Sequence, residues 1–119
     1  MTESELPPQV QEQLMRLQQM QQTLQAVVTQ KQQLEIELFE TDRAISELEK
    51  INDSVPVYKS VGGLMVKADR QVLLTELKEK KELTNTRVTV LGKQEERTRE
   101  RIKETQQKLE ERLKPASPE

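Results

Sequence analysis

Carboxylates are the side chains here best placed to do chemistry, and their arrangement argues against it. The chain carries 21 acidic residues but no histidine and no cysteine. It therefore lacks a thiol nucleophile, a group titrating near neutrality and the commonest metal ligand. Its Asp and Glu residues recur at solvated helical spacing instead of converging, and no glycine-rich phosphate loop or nucleophile elbow interrupts them. No catalytic, cofactor-binding or metal-binding residue is expected, and the chain reads as a non-enzyme with no cofactor.

Basic clusters are the next chemistry to weigh. Arg97-Thr-Arg-Glu-Arg101 and Lys78-Glu-Lys-Lys-Glu82 are both interleaved with Glu. Ion pairing along an exposed helix flank explains them better than nucleic acid does. A net charge of -2 also disfavours a dedicated nucleic-acid binder. Gln is abundant in the first half, from Gln9 to Gln33, and reads as a neutral solvent face. A low-charge surface for varied apolar ligands is the sharper reading, and Met15 and Met20 favour it, because Met packs adaptably.

The elements that must position these groups are two heptad-patterned stretches, roughly 8–52 and 69–113, flanking a hairpin signal at 55–67. In the first stretch the apolar stripe runs Val10, Leu14, Leu17, Met20, Leu24, Val27, Lys31, Leu34, Leu38, Thr41, Ile45, Leu48. In the second it runs Leu74, Leu77, Lys81, Thr84, Val88, Leu91, Glu95, Thr98, Ile102, Thr105, Leu109. Each is a long helix with a narrow buried stripe, the first on the order of 65 Å long. Pro8 suits a first helical turn, Asn52-Asp-Ser-Val-Pro56 stops the first helix, Asp69 caps the second, and residues 114–119 read as a flexible tail.

Between the helices, Gly62-Gly63 supplies the positive φ angles of a two-residue primed turn, which pairs Val61 with Leu64, Lys59 with Val66 and Val57 with Ala68. One face is then largely apolar, while Tyr58, Ser60, Met65 and Lys67 form the other. A two-stranded hairpin is marginal alone, so this one must cover its apolar face with something. Folding the helices antiparallel puts Leu48 against Leu74, Ile45 against Leu77, Thr41 against Lys81 and Met20 against Ile102. Apolar layers near the hairpin should pack firmly. Outer layers pair aliphatic residues with Glu or Thr and should pack loosely, because an unpartnered polar group is costly to bury. The termini become mobile tips bearing Leu6, Val10, Leu14, Met15, Leu17, Leu109 and Leu113.

Composition agrees with this single domain of residues 1–119. Only 33% of residues are apolar and 34% are charged, which suits long helices and leaves no ordinary globular core. No apolar run approaches the roughly 20 residues that span a bilayer. The Met-Thr-Glu-Ser-Glu start is acidic and unlike a signal peptide, so a cytoplasmic location is expected.

These residues resemble the β-class subunits of the archaeal prefoldin family. The matching pieces are Pro7-Pro-Gln-Val-Gln-Glu-Gln-Leu14, Gln30-Lys-Gln-Gln-Leu-Glu-Ile-Glu-Leu38, Val57-Tyr-Lys-Ser-Val-Gly62 with Leu64-Met-Val-Lys67, and Leu91-Gly-Lys-Gln-Glu-Glu96. The strand and turn are the specific part, and Gly63 stands where the family often has another residue. The resemblance implies a mainly α fold: a long antiparallel coiled-coil helical hairpin whose central β-hairpin joins an oligomeric β-barrel platform. It implies an α2β4 hexamer, an ATP-independent chaperone that holds unfolded client proteins at its coiled-coil tips and passes them to a group II chaperonin. Val57, Tyr58, Val61, Leu64, Met65 and Val66 would then carry oligomerisation, and the apolar tip residues would carry client binding. A structural scaffold or tether with one defined helical partner is the alternative.

Overall fold

The structure is a computed structural model and describes residues 6–114. The acidic start at residues 1–5 and positions 115–119 of the expected tail lie outside the described residues. Helix α1 spans Pro8–Glu49, strands β1 and β2 span Val57–Val61 and Leu64–Ala68, and helix α2 spans Arg70–Leu113.

Local chemistry sets each boundary. Pro8 opens α1 where no N–H is required, and the Pro7 carbonyl accepts from the Val10 and Gln11 amides at 3.0 and 3.1 Å. The helix stops at Glu49. Beyond it, Asn52 Oδ1 accepts the Ser54 amide at 2.9 Å, an Asx turn that competes with helical continuation. Asp69 caps α2, its Oδ1 accepting the Val72 amide at 3.0 Å. Asp69→Ala is expected to destabilise the chain by about 0.5–2 kcal/mol, read as a lower thermal midpoint with helix content retained.

The hairpin adopts the register that its pattern predicts: Val57↔Ala68, Lys59↔Val66 and Val61↔Leu64, with Tyr58↔Lys67 and Ser60↔Met65 between them. Gly62 and Gly63 take φ of +54° and +86°, the primed turn that suits the strand twist.

The chain divides into two compact units. The first is Lys31–Val90 and holds the hairpin. Here α1 and α2 run antiparallel, with Glu37 facing Lys80 at 3.3 Å, Asp42 facing Lys81 at 2.7 Å and the Leu48 carbonyl facing Arg70 at 2.8 Å. Ile45, Leu74, Thr41 and Thr84 are buried in its seam. Lys81, expected in that seam opposite Thr41, is exposed. Its ammonium turns outward to Asp42, whose hydrogen bond and then charge raise its pKa above the ordinary lysine value.

The second unit joins Met1–Gln30 with Leu91–Glu119. Gln9 Oε1 accepts from Arg112 Nη1 at 3.3 Å. Val10, Leu91, Ile102 and Leu109 are buried. The expectation of loose packing toward the termini therefore fails: Val10 and Leu109, at 4% and 5% exposure, are the least exposed apolar residues of the described chain. Two of the polar seam residues on this side find partners on their own helix. Thr98 Oγ1 donates to the Gln94 carbonyl at 2.8 Å, as Thr41 Oγ1 does to Glu37 in the other unit, and Glu95 is held by Arg99 at 3.0 Å. A Thr or Glu served within its own helix leaves no unpartnered group to bury.

Candidate functional site

The hairpin is the first candidate surface. Its two strands pair only with each other, so each presents one open edge of backbone N–H and C=O groups. Val57 is buried at its base. Val61, Leu64 and Val66 on the same face are exposed, as are Tyr58 and Met65 on the other. Leu64 and Met65 stand out furthest, at 70% and 69%. Apolar side chains this open, on a ribbon this short, have no reason to stay in water; neither the helices nor the loop covers them. Of the predicted assembly residues, the structure brings Val61, Leu64 and Val66 together on one face and places Tyr58 and Met65 opposite it.

Attachment of the hairpin to the helices involves residues that the sequence pattern does not single out. Arg70, the first residue of α2, is mostly buried, with its side chain 13% exposed. Its Nε donates to the Leu48 carbonyl at 2.8 Å and its Nη1 to Asp53 Oδ1 at 3.0 Å. Gln71 Nε2 reaches the same Asp53 oxygen at 3.2 Å. Positions three and four beyond Arg70 are Leu73 and Leu74, so no acidic partner lies ahead of it on its own helix, but nothing local in the sequence points to Leu48 or Asp53. Lys59 Nζ lies 3.8 Å from Glu76 Oε2, a long and exposed pair of small worth.

The helix termini are the second candidate surface. Met15 and Leu113 are exposed, Leu6, Leu14 and Leu17 are part-buried, and Val10 and Leu109 are closed in the seam. These seven residues thus sort into two that face solvent and five that are part-buried or closed in the seam. Beside them, Arg16, Gln19, Met20 and Thr23 of α1 and Arg101, Glu104, Thr105 and Lys108 of α2 line a shallow groove. Off the stripe, Ile36, Phe39, Leu83 and Val90 are also exposed, scattered positions that periodicity alone assigns to the solvent side.

Among the described residues no group of His, Cys, Asp or Glu is placed to hold a metal ion. No helix among them is long and apolar enough to cross a membrane.

Comparison with known proteins bears on this geometry. A family model described as "Prefoldin subunit" matches residues 11–116. The chain is 51% identical to prefoldin subunit beta of Archaeoglobus fulgidus over 111 residues, covering 93% of this chain and 96% of that one. It is 50% identical to prefoldin subunit beta of Methanothrix thermoacetophila over 109 residues, covering 92% and 91%. The crystal structure of the prefoldin beta subunit from Thermococcus strain KS-1 superposes with a TM-score of 0.82 at 41% identity, over 93% of this chain and 97% of that one.

Proposed function

This chain belongs to the β class of the prefoldin family, and from that membership we propose that it is one subunit of an ATP-independent holdase chaperone. The observation that carries this reading is the uncovered hairpin. Val61, Leu64 and Val66 lie exposed beside two open strand edges, a surface suited to pairing with further hairpins. Such pairing builds a β-barrel platform, in an α2β4 hexamer with α-class subunits. Each subunit then contributes one pair of helix termini. Met15 and Leu113, supported by Leu6, Leu14 and Leu17, offer apolar contacts to exposed segments of an unfolded client.

Each contact is weak, but several tips acting on one client raise the effective concentration of the rest, so capture is strong without any nucleotide-driven step. Release is then to a group II chaperonin in the cytoplasm.

The experiment is direct. The chain is mixed with an α-class prefoldin subunit, the mass of the complex is measured, and a chemically denatured client is diluted into it without nucleotide. A hexamer that suppresses client aggregation is the expected result. A chain that stays monomeric, or a hexamer with no effect on aggregation, would overturn the proposal.

A further inference from the structure

We infer that the groove near the helix termini takes an acidic, extended segment of an unfolded client, one in which Asp or Glu lies beside an aliphatic residue. This names the class of segment that is held, and it rests on the reading of the termini as the client surface. On an antiparallel helix pair, the residue just before alternate stripe positions flanks the seam and faces its counterpart on the other helix. In the unit that holds the hairpin, Glu37 precedes Leu38 and Lys80 precedes Lys81, and the two close the flank as an ion pair at 3.3 Å. In the other unit the corresponding positions are Arg16 before Leu17, Arg101 before Ile102 and Lys108 before Leu109. All three line one groove, Arg16 from α1 and the others from α2. Cations thus stand on both sides of the seam, where opposite charges would stabilise the pair.

Little within the chain answers these charges. Arg16 is held by Glu12 on its own helix at 2.8 Å. Among the described residues, Arg101 and Lys108 have no ion pair or hydrogen bond. The ion pairing expected along this flank holds for Arg99, which takes Glu95, and not for Arg101 two positions on. Of the described residues lining the groove, only Glu104 is acidic. A carboxylate from outside would relieve the repulsion across the seam, and between the cations the part-buried Met20 and Thr105 leave an apolar patch for its aliphatic neighbour. No aromatic ring lines the groove to stack a base, and three cations neutralise few phosphates, so a peptide suits it better than a nucleic acid.

Complexes of the α-class subunit with the wild-type chain or with variants test this by fluorescence anisotropy. Two labelled, unstructured peptides are titrated: one spaces leucines with glutamates, and the other carries glutamine at each glutamate. The wild-type complex is expected to bind the glutamate peptide about tenfold more tightly, from exposed ion pairs repeated over several tips. High salt should erase that preference, since exposed pairs are screened. Arg101→Gln with Lys108→Gln should bring the two peptides level, and Arg101→Glu with Lys108→Glu should make the glutamate peptide the weaker. Both variants change exposed side chains, so helix content should hold. Equal binding of both peptides by the wild type, or a preference that survives in the variants, would overturn the inference while leaving the tip reading intact. A single-stranded RNA bound more tightly than the glutamate peptide would overturn it in favour of nucleic acid. A wild-type complex that binds neither peptide would remove the tip reading and this inference with it.

Discussion

Val61→Lys with Leu64→Glu is expected to yield a helical chain that no longer assembles. The two residues face each other beside the turn, so the new charges are opposite in sign and directly paired across the strands. The hairpin itself therefore keeps a stabilising cross-strand contact. Both positions are exposed in the isolated subunit, so no core is disturbed and the thermal midpoint of the free chain should barely move. What is lost is apolar area that only a neighbour could cover. At about 1.5–3 kcal/mol for each fully buried aliphatic side chain, one hairpin interface loses about 3–6 kcal/mol, roughly two to four powers of ten in its dissociation constant. Sedimentation at micromolar concentration should find monomers in place of hexamers. An unchanged hexamer would mean that these side chains do not face a neighbour.

That surface was readable in advance because its rules are short-range. Two glycines in succession demand a primed turn, the turn fixes the register, and the register places Val57, Val61, Leu64 and Val66 on one face. The seam was readable for the same reason, since every stripe residue of α1 from Val10 to Leu48 is at least part-buried. Three things were not legible. Lys81 fits the heptad but leaves it for Asp42, since a charged head is more stable in water beside an anion than in a dry seam. The seam toward the termini packs better than its Thr and Glu content suggests, and Thr98 and Glu95 there bond back to their own helix. Arg70 acts on Leu48 and Asp53, residues 22 and 17 positions away, and no local pattern announces so distant a partner.

The burial of Val10 and Leu109 bears on how the tips work, and the second large effect follows from it. Removing residues 6–15 and 107–114 takes about two turns, roughly 11 Å, from each helix terminus. The hairpin at 57–68 is untouched, so the hexamer should form with its mass reduced only by the missing residues. Suppression of client aggregation should fall to the level of buffer alone, because avidity multiplies the loss at every tip.

Point variants then separate gripping residues from supporting ones. Met15→Glu with Leu113→Glu changes side chains that already face solvent, so stability should hold while capture is lost. Val10→Ala with Leu109→Ala opens a cavity in the seam, which costs stability by deleting buried methyl groups. It leaves Met15 and Leu113 in place, so capture should persist below the lowered melting temperature. If instead the seam variant lost capture while the surface variant retained it, the terminal turns would have to part and offer Val10 and Leu109 themselves to the client. A trimmed hexamer that still held clients would move the grip away from the tips, and the exposed Phe39 and Leu83 would be the next side chains to test.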